Sequence, residues 1–530
     1  MRVTIALGLL AGGFACSGAG TAAPVVCSGP LSTGQLDTQA AGIAAVAPDE
    51  THIAFIRDPV TIEAGCLNRG ATVTTGTLVA ASIQPDGSIC ERTVANNISQ
   101  RDVDFSDDSR HLVFRDTDDC GRGTLRIADA DGGNVRSVAR KVYTETVKGA
   151  AVVYDADGES TDFAAPLAGG APVSMWTQNQ GYAADQGVNA AGTAFAHKTD
   201  GTEGYGVEPG SLVVVPLDSG RPRVIVDATK EGAWDFHWSR RGGWLGFMHY
   251  PLGRIDVLSL ALVAVDGTSR TEVSSSCHGW AVAFAPDDSW VAYNEPDSSG
   301  GLRLMTHSLK DGTTVALGVM PANDYPDLRF SDDGANVIAL LTDPDTTLQS
   351  MYGGTVGVAG SLKQLATGLA FGGDGSISVT GGRAAFSLYP DQVEVVPLAG
   401  GAPVTLPGYD PAFEPGVADP HLLFTQGPPP ALVVARGDGS GANFQPLPAQ
   451  PDYVMLLSWL GSTVIYGAGT SDQSVTLTTI TGAGTVSTEL ATGVSSYGWA
   501  ANPAPTRLFY ARAAAGPDGP TGLWVVDLPR

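Results

Sequence analysis

Three short stretches of the 530-residue chain place carboxylates two residues apart: "DTDD" at 116–119, "ADADGG" at 128–133 and "DADGESTD" at 155–162. That spacing is how calcium loops aim side-chain oxygens at one cation. A complete loop of the EF type reads D-x-[DN]-x-[DN]-G with a later Glu, and in "DTDDCG" Cys120 stands at the third ligand position. The stretches read as turns, and no metal ligand is expected. His237, His249, Cys277 and His278 are the other group whose types could do chemistry. A Cys277/His278 dyad would supply a thiolate and its base, yet such catalysis also needs an orienting third group and an oxyanion loop, and neither is visible. There is no G-x-S-x-G, and "GDGSG" at 437–441 reads as a D-G hairpin turn. C-x-x-C and the Cys/His spacings of zinc sites are absent too. No catalytic residue, metal or cofactor is expected.

The remaining histidines lead to the elements. His52, His111 and His421 each open a short alternating apolar run, in "HIAF", "HLVF" and "HLLF". Equivalent runs end at Phe55, Phe114, Tyr154, Phe195, Phe247, Tyr293, Leu340, Phe386, Phe424, Tyr466 and Tyr510, with successive gaps of 59, 40, 41, 52, 46, 47, 46, 38, 42 and 44 residues. Before the run stands a polar turn ("FSDDS", "FAPDDS", "FSDDG", "WSRRGG"), and after it a second strand ending in D-G or G-G. Positive φ at those pairs makes a tight hairpin into a further strand. A four-stranded sheet written this way is apolar on both faces and must stand beside copies of itself. A period of 40 to 50 residues is that of propeller blades.

The phrases "FSDDSRHLVF", "FAPDDSWVAY", "FSDDGANVIAL" and "VAPDETHIAF", each followed by a strand ending in D-G, resemble the WD-like repeat of the TolB-type β-propellers. The same repeat occurs in the propeller domains of prolyl oligopeptidases and in oligogalacturonate lyases. The resemblance implies an all-β fold, a β-propeller of about eleven four-stranded blades, and carries no catalytic residue with it. Eleven exceeds the usual four to eight in one ring, so two tandem propellers are expected. Residues 43–318 would hold about six blades and 319–530 about five, with the break near "GVMPANDYPD" and a split near Cys277 as an alternative. Residues 24–42 form an N-terminal segment in which "PVVCSG" is the candidate closing strand for the last copy, "GLWVVDLPR".

Asp+Glu outnumber Lys+Arg 55 to 30, a net charge of −25 that repels phosphate backbones, so nucleic acid is excluded as a primary partner. Residues 1–23 read as a signal peptide: one Arg, a short apolar region, then small residues. Two processing readings stand. "GFAC" resembles a lipobox with Cys16 as the lipid attachment, though Gly13 replaces its usual Leu, and ordinary cleavage within "CSGAGTAA" would leave a free protein. The protein is thus expected in the periplasm, on the outer membrane as a lipoprotein, or secreted. Membrane contact would come only through the anchor. Export permits disulfides. Cys66 and Cys120 occupy equivalent loops and are the preferred bridge, Cys27 and Cys90 would tie the N-terminal segment to an outer strand, and Cys277 stays free; the connectivity itself is open.

Function is then sought on the rim reached just after each alternating run. Its candidate binding face is Arg57, Asp58, Arg115, Asp116, His197, Lys198, His249, Tyr250, Asn294, Glu295 and Asp343. The expectation is a non-enzymatic, exported propeller that binds a protein or a glycan of the cell envelope through this face. A propeller-type polysaccharide lyase or hydrolase is the alternative, and a structural envelope lipoprotein a third reading.

Overall fold

A computed structural model describes residues 24–527, apart from 29–34, 64–71, 118–121, 157–160, 178–186, 200–209, 344–347, 370–376, 414–420, 427–430, 438–444, 447–452, 500–505, 513–521 and shorter gaps of one to three residues; for 453–500 the description is of backbone alone. Every element defined over these residues is a β-strand. Val, Ile, Thr and aromatic residues fill the strands, and glycines with positive φ, such as Gly132, Gly267 and Gly334, sit at the hairpins between them.

Among the described residues the strands form seven four-stranded antiparallel sheets, one of three strands, and one of eleven. The eleven-stranded sheet is continuous because Ile89–Phe105 and Arg136–Lys148 are long enough to pair on both sides. Each bends at a residue of positive φ, Asn97 and Lys141. The order elsewhere is a plain meander, in which each strand pairs with the next, except in the last sheet, where the N-terminal strand Gln35–Asp37 pairs with the C-terminal strand Gly522–Asp527. Four-stranded antiparallel meanders of this kind are what propeller blades are made of.

The alternating runs explain why the sheets stand together. Their middle four residues are buried in strand after strand, as in Trp290–Pro296 and His421–Gln426, so both faces are covered. Side chains alternate between faces, and here each face serves a different neighbour. Ile53 and Phe55 pack with Phe509 and Leu523 of the last sheet, whereas Ala54 and Ile56 pack with Leu112 and Phe114 further along the long sheet. Phe247 joins Ala196 and Leu212 on one side, and Met248 joins Tyr293 and Met305 on the other. Phe386 meets Ile338 and Met351, and Ala385 meets Phe413 and Leu422. The aromatic anchors Phe55, Phe114, Phe195, Phe247, Tyr293, Phe386 and Phe424 are among the largest fully buried side chains.

Leu304, Leu317 and Met320 pack with Leu328, Val337 and Leu341 in one core that spans residues 318 and 319. Two expectations need correction. The strand that completes the last sheet is Gln35–Asp37, which pairs with Gly522–Asp527 (Gln35 opposite Trp524), while "PVVCSG" contributes Val26–Ser28 to the edge of Ile89–Phe105. Leu340 is one residue out of phase. The strand opens at Asn336, whose carbonyl accepts from Ser331 N, so Ala339 holds the position of Phe114 and Leu340 faces the other neighbour.

The polar turn before each run has a mechanical role. Ser106 and Ser331, both buried, donate from Oγ to Asp108 (2.6 Å) and Asp333 (2.5 Å), and their Oγ accepts from the first amide of the run, His111 N (2.9 Å) or Asn336 N (3.0 Å). In "WSRRGG" the acid is missing, and Asp288 of the following sheet accepts from Ser239 Oγ instead (2.6 Å). Truncating Ser331 to alanine strands Asn336 N and removes one of the donors to Asp333, which keeps Ala335 N (3.0 Å). The expected cost is about 1–2 kcal/mol, read as a lower urea midpoint; no change would mean that the turn is held by its backbone alone.

Candidate binding rim

The predicted rim residues lie on the strands of the alternating runs or just after them, Arg57 and Asp58 midway along His52–Glu63, and most of them are engaged within the protein. Arg57 lies over the Phe55 ring (5.2 Å) and pairs with Asp37 and, at 2.6 Å, Glu91. Arg115 is buried: Nη2 reaches Asp102 (2.7 Å), Nε lies 2.8 Å from Glu145 Oε2, and Nη1 donates to the Val142 carbonyl (2.9 Å). Asp116 accepts from Thr124 N (2.5 Å) and Arg126 (2.7 Å) within its own sheet. Glu295 accepts from Ser274 Oγ (2.6 Å) and has Arg303 at 4.0 Å. Tyr250 is buried, edge-on to Trp234, with its ring where a Cβ at Gly232 would stand, so only glycine fits there.

His249 sits in the largest of these groups. Nδ1 is 2.8 Å from Glu231, Nε2 is 2.8 Å from Glu272, and Arg270 pairs with both glutamates while lying 5.2 Å above the Phe247 ring. The Arg270 guanidinium holds the Glu231 carboxyl below the usual range. Both imidazole nitrogens face carboxylates, and Arg270 Nη2 lies 3.2 Å from Nε2. His197 stacks on Phe195, and burial lowers its pKa; burial also lowers that of Lys198, opposed by the charge of Asp235. Asn294 is fully buried. Its carbonyl accepts from His278 N (2.8 Å), and neither atom of its side-chain amide has a hydrogen-bond partner. Asp58, with φ of 47°, and Asp343 are the exposed members of the face.

The other candidates resolve simply. The Cys277 thiol is buried and free, and burial beside Glu295 pushes it up to about 12, which disfavours the thiolate form. In "ADADGG" Asp131 caps Gly133 N (2.8 Å) and Asp129 accepts from Asn134 (2.5 Å), the bonds of a hairpin turn. Among the described residues no three His, Cys, Asp or Glu side chains are placed to hold a metal ion. Cys27 and Cys90 are joined by a disulfide. Cys16, Cys66 and Cys120 lie outside the described residues. No helix among the described residues is long and apolar enough to cross a membrane.

Sequence reasoning missed the partners: Asp37, Glu91, Asp102, Glu145, Glu231, Glu272 and Arg270. They carry no motif and lie on other strands. Glu145 has a consequence for pH. Burial, aided by the charges of Asp102 and Asp155, pushes its carboxyl up to about 7 against the attraction of Arg115. Burial wins because Asp102 shares the same guanidinium. The folded protein therefore keeps a proton that the unfolded chain releases, and stability falls as pH rises from about 4.5 towards 7. Glu145→Gln is expected to flatten that fall, which is at most about 3 kcal/mol. Thermal unfolding across this range checks it: parallel profiles for the two proteins would contradict the assignment.

No family model matches the sequence, and no curated protein matches it. Among solved structures the chain is similar to an oligogalacturonate lyase in complex with manganese (16% identity, TM-score 0.31, 66% of this chain and 96% of that one). It is similar to TolB from Acinetobacter baumannii (14%, 0.27, 58% and 79%) and to a eukaryotic initiation factor (12%, 0.41, 72% and 96%). Likenesses this distant say nothing of activity or ligand.

Proposed function

We propose that the chain is an exported, non-enzymatic β-propeller whose rim presents loops to a protein or glycan of the cell envelope. The observation that carries this reading is the state of the rim's charged groups. Arg57, Arg115, Asp116, His249 and Glu295 are each tied to side chains of the same protein, so they stiffen these strands. A stiff support lets the loops bind with little loss of entropy. The excess of acid favours neutral or basic partners, and a disulfide is the chemistry of an oxidising compartment.

The same reading places all units in one ring. Ile89–Phe105 and Arg136–Lys148 divide the long sheet into three units of four strands, and with the other sheets these make eleven. A core shared between the last and first sheets supports a single closure in place of two tandem rings.

The test is cosedimentation of residues 24–530 with isolated cell envelopes, beside an assay for products released from acidic polysaccharides. Saturable binding, weakened by Asp58→Ala with Asp343→Ala at unchanged thermal stability, is the expected result. Release of unsaturated oligosaccharides would replace this reading with the polysaccharide lyase, for which the one favouring observation is His249 between two glutamates.

A further inference from the structure

We infer that the Cys27–Cys90 disulfide secures a clasp that completes the last sheet, and that its reduction releases this clasp locally. Val26–Ser28 pairs only with Ile89–Glu91 at a sheet edge, and Val25 and Val26 are exposed (46% and 61%). Three residues with so little burial do not hold a strand in place against chain entropy. The disulfide supplies what burial does not. Glu91, next to Cys90 and opposite Val26, pairs with Arg57, and Arg57 pairs with Asp37 at the end of the closing strand. Asp37 Oδ1 also accepts from Gln39 N (2.7 Å) and Ala40 N (2.5 Å), turning the chain into the first sheet. Leu36 lies between, buried with Phe55 and Leu523. Disulfide, ion pairs and closing strand are thus one connected unit.

A dithiol breaks the S–S bond by exchange: the protein sulfurs take up two electrons and two protons, and the dithiol becomes a cyclic disulfide. Val26–Ser28 then leaves, and Gln35–Asp37 loses its covalent tether and keeps its short pairing, the Asp37–Arg57 pair and the burial of Leu36. Release is confined to this edge, because a second tie between the first and last sheets is independent of it. Buried Glu50 accepts from Thr506 N (2.6 Å), Thr506 Oγ1 and Arg507 N (3.3 Å).

Hydrogen exchange on residues 24–530 tests this, comparing the oxidised protein with Cys27→Ser/Cys90→Ser and with dithiothreitol-treated protein. Amides of 35–37 and 522–527 are expected to exchange at least tenfold faster in both reduced forms, while those of 336–342 and 506–507 keep their rates. Unchanged exchange at 522–527 would overturn the inference. Equal acceleration at 336–342 would overturn it too, since it would mean general loss of stability. Envelope binding is not part of this readout, so the clasp can fail or stand apart from the proposed function.

Discussion

Replacing Arg115 with alanine is expected to cost the fold about 3–5 kcal/mol, far more than any change in ligand affinity would suggest. The guanidinium is 8% exposed and is set against Asp102 and Glu145, themselves 14% and 11% exposed. Removing it leaves two carboxylates in a poorly solvated gap within the long sheet, and the Val142 carbonyl loses its donor. A residue that served only a ligand would behave differently, with binding lost and the urea midpoint unmoved. The variant therefore separates the two roles in one measurement. Lowering the pH should recover part of the loss, because Glu145 can then take up a proton. A drop of less than about 1 kcal/mol would show that Arg115 is free to act outward after all.

Phe247→Ala should be comparably damaging. The ring is fully buried against Ala196 and Leu212 of the preceding sheet, and Arg270 lies across it. Truncation of a buried phenylalanine costs about 3–5 kcal/mol, from lost transfer energy and from the cavity left behind. The alternation of faces adds a spatial prediction: side chains on the preceding side should loosen before those around Met248, Tyr293 and Met305. Val319, half exposed, is the control, with an expected change within about 0.5 kcal/mol. If the two substitutions have similar effects on the urea midpoint, the packing scheme is wrong.

Much of the architecture was legible because it repeats. An aromatic residue recurring at a regular interval, a polar turn before it and D-G after it are local signals, and the structure places Phe55, Phe114, Phe247, Phe386 and Phe424 in the same buried role. Where one copy departs from the pattern, the reading slipped. In "ANVIALL" the apolar residues run without a break, so nothing in the sequence chose between Ala339 and Leu340. The stretch across the expected boundary shows a related limit. "GVMPANDYPD" has the composition of a linker, yet composition does not reveal that Met320 and Leu328 share a core.

The candidate site was legible only in part. Arg57, Arg115 and His249 stood out as charged residues just past an apolar run; Arg57 lies midway along His52–Glu63, and Arg115 and His249 lie in the second half of their strands. Whether such a residue faces solvent or a partner depends on side chains far away in sequence: Asp37 and Glu91 for Arg57, Asp102 and Glu145 for Arg115, Glu231 and Glu272 for His249. The sequence by itself determined an all-β chain of repeated, two-faced sheets, because period-two patterning and turn residues act over a few neighbours. Tertiary structure alone decided which strand closes the last sheet, which sheets share a core and which charges neutralise one another, because those outcomes depend on the docking of strands that no local pattern relates.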